Sequence, residues 1–134
     1  MKLFKELTIV TANKPGKLAE ALKAIASATV NLIALDSSSG YDLNLVRLVA
    51  SAPEKARKAL EKLGYNVTEA TVFGVTISDK PGELAHIASI FARARVNIDY
   101  MYASAVAYDQ PAMVIVRVAN PVEAQRVLRA AKVV

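Results

Sequence analysis

Cysteine and tryptophan are absent from the 134-residue chain, and histidine occurs once. Without cysteine there are no disulfides, no thiolate metal sites and no cysteine nucleophiles. No apolar run approaches the roughly 18 residues of a membrane-spanning helix, and the charged residues 1–5 do not read as a secretory signal. We therefore expect a cytoplasmic protein that binds no metal, no cofactor and no membrane.

Groups suited to catalysis are also scarce. His86 lies off the apolar stripe of its predicted helix, and no pair of carboxylates stands out as an acid–base set. We therefore predict no catalytic residues and no enzymatic activity. The predicted strand at residues 43–50 has no aromatic side chain, which argues against an RNA-binding sheet.

The net charge is +5, from seventeen basic and twelve acidic side chains. Much of the excess lies in residues 54–62, with the sequence EKARKALEK. Both signs occur there at helical spacing, which is typical of a solvated helix face rather than of a nucleic-acid patch. No nucleic-acid partner is therefore predicted.

Much of the chain is an internal duplication. Residues 12–19 read ANKPGKLA and residues 78–85 read SDKPGELA, and VNL and VNI follow at 30–32 and 96–98. Nine of the eighteen pairs between Lys14 and Asn31, taken 66 residues apart, are identical. Such a repeat predicts two tandem units, which we place at residues 1–69 and 70–134.

Periodicity assigns the elements of the first unit. Segments rich in β-branched residues predict strands, and apolar residues at i, i+3, i+4 and i+7 predict helices. The predicted strands are 6–12, 32–35, 43–50 and 65–69, and the predicted helices are 17–28 and 53–63. With right-handed crossovers this βαββαβ order gives a ferredoxin-like α+β plait, an antiparallel sheet with helices on one face.

The second unit repeats this order but is shorter. Its predicted strands are 71–77, 98–106 and 112–118, its predicted helices are 83–94 and 121–131, and Gly74 is a possible bulge. Only Val133 and Val134 remain for the last strand, which is therefore truncated. We expect another chain to cover the first strand of this unit, and a short or continuous passage from 65–69 into 71–77.

The repeated turn places proline and glycine directly before a helix. Unpaired backbone N–H groups and the positive end of the helix dipole favour a small anion there, and glycine permits close approach. Asn13 and Asp79 add polar side chains at the same point, and Asp79 could accept from an ammonium group. The turns are therefore suited to an α-amino acid.

The polar residues of these segments also have structural explanations. Asn13 and Asp79 can cap the following helix or close an Asx-turn. Asn31 and Asn97 can end their helices, because asparagine tolerates the left-handed conformation. A structural interaction module without a ligand is the corresponding alternative for the whole protein.

The motif Asp-Lys-Pro-Gly-x-Leu-Ala at 79–85, an amphipathic helix and Val-Asn-Ile at 96–98 resemble the ACT domain, a small-molecule-binding regulatory module. The resemblance covers nearly the whole chain as two tandem copies. It implies units that pair side by side through strand two, with amino acids bound at that interface. The implied partners are an amino acid, a second copy in a homo-oligomer such as a dimer, and a regulated enzyme.

The resemblance also implies the site residues, which lie in the loop before the first helix and at the start of strand two of each unit. They are Asn13, Lys14, Pro15, Gly16, Asn31, Leu32, Asp79, Lys80, Pro81, Gly82, Asn97 and Ile98. Serine-sensing ACT domains have a histidine two residues before the asparagine of this loop, where this chain has Thr11 and Ile77. The resemblance therefore implies an allosteric amino-acid sensor and does not favour serine.

Overall fold

The computed structural model describes residues 1–78, 80–104 and 110–133. The chain forms two compact units. The first unit is Lys5–Ala70, and the second combines Met1–Phe4 with Thr71–Val134. The domain boundaries proposed from the repeat, 1–69 and 70–134, stay a prediction.

The elements alternate much as the periodicity predicts. In chain order they are β1 (Lys2–Ala12), α1 (Lys17–Ser27), β2 (Leu32–Gly40), β3 (Leu43–Ala50), α2 (Pro53–Lys62), β4 (Thr68–Ile77), α3 (Glu83–Arg93), β5 (Tyr100–Ala103), β6 (Ala112–Arg117) and α4 (Pro121–Ala130). The predicted α+β fold of two βαββαβ units with antiparallel sheets is confirmed.

The first unit has the strand order β2-β3-β1-β4, so β2 is an edge strand. Both ladders along β3 are antiparallel. Leu43 at the start of β3 is paired with Ala12 of β1 and with Gly40 of β2. Ala50 at the other end is paired with Leu32 of β2. The start of β2 and the end of β1 therefore lie at opposite ends of the sheet.

The second unit has the strand order β1-β4-β6-β5, in which β1 contributes residues 2–4. The register of β4 with β6 runs from Phe73 to Ile77 without a shift, so the bulge considered at Gly74 is absent from this ladder. Instead, the absence of a side chain at Gly74 allows two other side chains to pack closely against its backbone. A Cβ at Gly74 would lie 2.7 Å from Cε2 of Phe4 and 2.8 Å from Sδ of Met113.

The expectation that another chain covers the first strand of the second unit is wrong. β1 begins at Lys2 rather than at residue 6, and β4 lies between β1 and β6. The first residues of β1 thus take the place of the last strand that the second repeat lacks. The segments 65–69 and 71–77 form one strand, β4, as the predicted continuous passage requires, although this strand starts at Thr68.

Each unit has its own hydrophobic core. The first core joins β1 and β3 to α1 and α2 through Leu7, Ile9, Ala21, Ile25, Val46, Leu48, Ala56 and Leu60. In the second, Phe73 and Phe91 meet edge to face with ring centroids 5.9 Å apart. Full burial of a side chain of this size stabilises a fold by about 1.5–3 kcal/mol.

α1 and α3 each end four residues before the asparagine that could cap them, and the left-handed residue after each helix lies two residues before it. Thr29 is left-handed at φ 59°, with its N–H bonded to the Ala26 carbonyl, and Val30 N–H bonds to Ile25. This is a Schellman motif, and Arg95 occupies the same position at φ 58° in the second unit. The explanation of Asn31 and Asn97 as left-handed caps is therefore wrong.

β2 and β5 also differ in length from their predictions. β2 continues through the polar residues 36–40, and an ion pair of 3.2 Å between Asp36 and Arg47 joins it to β3. β5 begins at Tyr100 instead of residue 98, and residues 105–109 of the predicted strand and turn lie outside the described residues. No helix in the described ranges is long and apolar enough to cross a bilayer.

Candidate functional site

The repeated turn folds into the same loop in both units. The first loop has three backbone hydrogen bonds, from Lys14 to Ala12, from Lys17 to Lys14 and from Glu20 to Gly16. The second has the equivalent bonds, from Lys80 to Ser78, from Glu83 to Lys80 and from His86 to Gly82. The lengths are 2.9, 3.3 and 2.9 Å in each loop, so the shared Lys-Pro-Gly sequence forms the same backbone hydrogen bonds in both units.

The last residue before each of the helices α1 and α3 is a glycine. Gly16 and Gly82 both have φ 88°, a left-handed conformation that favours glycine. Apart from the adjacent residues of the chain, no atom of the described residues lies within 4 Å of the place that a Cβ would take at either position. Among the described residues, which do not include Asp79, no side chain caps α1 or α3, whereas Asn120 caps α4. The first N–H groups of α1 and α3 thus have no described side chain as a cap, and a carboxylate could bind them.

Asn13 is held by the turn between β2 and β3. Its backbone N–H donates to the Asp42 carbonyl at 2.7 Å, and its Nδ2 donates to the Tyr41 carbonyl at 2.9 Å. Asn13 therefore does not cap α1, and its Oδ1 has no hydrogen-bond partner among the described residues. The sequence alone did not reveal Tyr41 or Asp42 as supports, because their contact with Asn13 spans 28 residues of chain.

Thr11 is a buried polar residue beside this loop. It is 2% exposed, and its Oγ1 has no hydrogen-bond partner among the described residues. It alternates along β1 with Leu7 and Ile9 and therefore faces the helices. A buried hydroxyl without a partner costs roughly 1–3 kcal/mol. A polar ligand group that formed a hydrogen bond with the Thr11 hydroxyl would therefore stabilise the folded protein.

The second loop carries fewer described polar groups. Lys80, Pro81 and Gly82 are exposed, and Asp79 lies outside the described residues. Ser78 Oγ donates to Oε1 of Glu83 at 3.0 Å, which occupies the first acidic side chain of α3. Within the described residues, the two loops therefore share their backbone hydrogen bonds and differ in their side chains.

The start of strand two lies far from the loop of its own unit. Ala12 is paired with Leu43, and Leu32 is paired with Ala50, seven residues further along β3. At about 3.3 Å per residue this separation is roughly 23 Å. Asn13 and Asn31 of one unit therefore do not meet around one small ligand.

Asn31 has a free side chain. Its backbone N–H donates to Ser51 Oγ at 3.0 Å, and its carbonyl accepts from Ser51 N–H at 2.8 Å. The exposed carboxamide has no hydrogen-bond partner among the described residues. Leu32 packs against the first core, so only its backbone is available to a ligand.

Asn97 lines a small pocket at the equivalent place in the second unit. The pocket has a volume of about 300 Å³ and includes Asn120 and Glu123 at the start of α4. Asn97 Nδ2 donates to Oδ1 of Asp99 at 3.2 Å. Ile98 packs against the second core, as Leu32 does against the first.

Comparison with known proteins decides the family. The model of the ACT domain pair matches residues 2–133 of this chain. The chain belongs to the ACT domain pair family. ACT domain pairs are typically ligand-binding regulatory modules rather than catalytic ones. No curated protein matches the chain significantly.

Solved structures with the same fold include other ACT pairs. Protein BT0572 from Bacteroides thetaiotaomicron is 32% identical, with a TM-score of 0.89 over 97% of this chain and 89% of that one. The ligand-free regulatory subunit of aspartate kinase from Thermus thermophilus is 14% identical, with a TM-score of 0.71 over 97% and 95%. The equivalent subunit from Thermus flavus has a TM-score of 0.63 at 17% identity, over 96% and 91%. The Thermus likenesses concern the fold alone.

The ACT loops are suited to binding rather than to chemistry. The described groups in the first unit's site are backbone N–H groups, the Asn13 carboxamide oxygen, the buried Thr11 hydroxyl and the exposed Lys14 side chain, and they include no pair of a nucleophile with a base and no pair of carboxylates. No cluster of three metal-ligating side chains occurs within the described ranges. Thr11 was not among the predicted site residues, although it stands at the position, two residues before Asn13, where this chain differs from serine-sensing ACT domains.

Proposed function

We propose that this ACT domain pair is a non-enzymatic regulatory protein that senses an amino acid. The observation that carries the proposal is the pair of helix N-termini, α1 and α3, that no described side chain caps and that follow two turns with the same backbone hydrogen bonds. The ligand carboxylate would accept from these N–H groups. In the first unit its ammonium would donate to Asn13 Oδ1.

We further propose that the ligand binds at an interface between ACT units of two chains. β2 is the edge strand of the first unit, and Gly40 at its end is paired with Leu43, as is Ala12. In an antiparallel pair, the start of one strand lies beside the end of the other. Antiparallel pairing of β2 with a second copy would therefore bring Asn31 of that copy to the loop end of this one.

Exposed apolar side chains at the loop end support pairing with a second copy. Val10 is 51% exposed, Tyr41 98% and Leu43 57%. A cluster of this kind is unusual on a surface that faces only water. A dimer that covered it would complete a site from Asn13–Gly16 of one chain and Asn31-Leu32 of the other, and the same arrangement is proposed for 79–82 with Asn97-Ile98.

The remaining parts of the proposal concern partners and location. Since the site offers no catalytic group, its signal would pass to a regulated enzyme through binding, and we place the protein in the cytoplasm. The second candidate is a structural interaction module with no ligand, which Ile77 at the position of Thr11 favours for the second unit.

A thermal-shift screen of the twenty amino acids tests the proposal. A ligand that binds the folded state raises the unfolding midpoint by mass action. Asn31→Ala should reduce the shift without lowering the unliganded midpoint, because this carboxamide makes no hydrogen bond with a described residue, and Asn31→Ala together with Asn97→Ala should abolish the shift. Asn66→Ala, an equally exposed asparagine outside the site, should keep the shift. No shift with any amino acid would favour the structural module, and a shift that survives Asn31→Ala and Asn97→Ala would exclude the proposed site.

A further inference from the structure

A groove between α1 and α2 of the first unit has no role in the proposed amino-acid site. Its volume is about 440 Å³. Half-buried small residues and exposed lysines line it, chiefly Ala24, Ala28, Ala59, Lys55, Lys58 and Lys62. The groove is thus apolar at its base and positively charged along the α2 side.

The second unit has the same fold but carries larger side chains at two positions that line this groove in the first unit. Ile90 of α3 stands 66 residues after Ala24, is 4% exposed and belongs to the second core. Val127 of α4 stands 68 residues after Ala59 and also packs against that core. Large side chains thus take these positions in one copy, and alanine leaves them open in the other.

The paired and the unpaired charges of α2 lie on different sides of the helix. Glu54 pairs with Lys5 at 3.1 Å, and Glu61 pairs with Arg57 at 3.3 Å, on the flank away from the groove. The three groove lysines make no ion pair with any described residue. They stand at i, i+3 and i+7, which spaces them over about 10 Å of one helix face.

The equivalent charges of the second unit neutralise each other. Glu123 and Arg126 stand where Lys55 and Lys58 stand in the first unit, and they form an ion pair of 2.5 Å within α4. Ala130 takes the place of Lys62. Three unpaired cations beside an open apolar groove are therefore specific to the first unit.

We infer that the groove between α1 and α2 binds an acidic amphipathic helix of a partner protein. Small residues at the base let the backbone of a docking helix approach closely, and apolar side chains at i, i+3 and i+4 would fill the groove. Acidic residues on the flank of that helix would pair with the three lysines. The inference rests on the proposed function, because a regulator without catalytic groups acts through a partner.

A nucleic acid fits this surface less well than a helix does. The groove is lined by alanine and lysine, and it has neither arginine for bidentate phosphate or base contacts nor an aromatic ring for stacking. The apolar base would stay exposed beneath a phosphodiester backbone. Burial of that base requires apolar side chains from the partner.

The test uses a fluorescein-labelled peptide of about 18 residues, with leucine at i, i+3, i+4 and i+7 and glutamate on both flanks, designed as an amphipathic helix. Its binding to the full chain is followed by fluorescence anisotropy. Lys58→Glu should weaken binding about tenfold through charge reversal. Ala24→Ile should do the same by filling the groove, and Ala59→Val provides a second filling variant. Circular dichroism confirms that each variant is folded.

The controls separate this site from general charge attraction. Lys23→Glu makes the same charge change at an exposed position of α1 outside the groove and should leave binding unchanged. Equal weakening by Lys23→Glu, equal binding of a lysine-flanked peptide, or competition by a DNA duplex would overturn the inference. So would concentration-dependent self-association that Ala24→Ile abolishes, because the occupant would then be a second copy. An amino-acid thermal shift without peptide binding would reject the groove and leave the proposed function standing.

Discussion

The side chain of Phe4 lies over Gly74, with its Cε2 atom 2.7 Å from the point where a Cβ would stand. The two residues are 70 positions apart in the chain, yet both belong to the second unit. Met113 completes the contact from β6, its Sδ atom lying 2.8 Å from the same point. The absence of a side chain at residue 74 is therefore what lets the beginning of the chain pack on the sheet of the second repeat.

Gly74→Ala should destabilise the protein by about 1–2 kcal/mol, because the new methyl group displaces Phe4 and Met113. Phe4→Ala removes one of these neighbours, so Gly74→Ala should cost less in that background. A double-mutant cycle from urea unfolding measures the coupling between the two positions. Additive costs would show that Phe4 does not hold its place over Gly74.

The internal duplication was enough to predict the fold class. The strands that are longer than predicted extend because they pair with segments that are distant in the sequence. Residues 2–5 read KLFK, a pattern too short and too charged to predict a strand, and only the adjacent β4 makes it one. Ser37, Ser38 and Ser39 read as a polar loop. They extend because β3 offers hydrogen-bond partners along its whole length, a tertiary effect that overrides local propensity.

Gly16→Ala and Gly82→Ala should each cost about 1–2 kcal/mol, because both positions have φ 88°, a conformation that L-residues adopt only with strain. No atom obstructs a methyl group at either position, so the cost is one of the backbone alone. Gly40→Ala is the matched control, since its φ is not positive and its surroundings are equally open. Urea unfolding should show that Gly40→Ala is neutral or slightly stabilising. Equal losses at all three glycines would contradict this account.

For the candidate site, the sequence identified the loop but not its surroundings. Pro15 and Gly16 carry a local signal, because turn chemistry depends on neighbours in the chain. The contact of Asn13 with Tyr41 and the unsatisfied hydroxyl of Thr11 depend on how β1, β2 and β3 assemble, which periodicity does not encode. Asn31 could contact a ligand at the loop only from a second chain, and its role in binding stays a prediction.

The starts of α2 and α4 offer a matched pair for helix capping. Ala52 has φ −134° and ψ 84°, and Asn120 has φ −128° and ψ 90°, so the backbones are nearly identical. Asn120 Oδ1 accepts from Glu123 N–H at 3.1 Å, whereas α2 has no side-chain cap. Asn120→Ala should therefore cost about 1 kcal/mol.

Ala52→Asn should stabilise the first unit, because a carboxamide at this position would reach the N–H of Lys55. The gain should be smaller than about 1 kcal/mol, since the Ala52 methyl group packs against the first core. Ala52→Gln, whose longer side chain is a poor cap, is the control. Unfolding in guanidinium chloride measures both changes, and a stabilising Ala52→Gln would mean that polarity rather than capping is responsible.

Glu69 of β4 forms ion pairs with Arg57 of α2 and, at 3.5 Å, with Lys5 of β1. Partial burial is the largest single influence on the pKa of the Glu69 carboxyl and raises it. The hydrogen bonds and charges of Arg57 and Lys5 together outweigh burial and hold this pKa below its ordinary value. The folded state therefore binds fewer protons here than the unfolded state. The resulting stability is present above the unfolded pKa of about 4.3 and is lost as the pH falls through the folded pKa.

Arg57→Gln should raise the pKa of Glu69, because burial raises this pKa and only Lys5 would then lower it. Titration of the Glu69 side-chain carboxyl by NMR measures the change. The variant should be less stable than the parent at pH 7, and the difference should shrink as the pH falls below about 4. Arg93→Gln removes the same charge from an exposed site and serves as the control, with a stability difference that stays flat over this range. If the Arg57→Gln difference were equally flat, the acid sensitivity of the first unit would not come from Glu69.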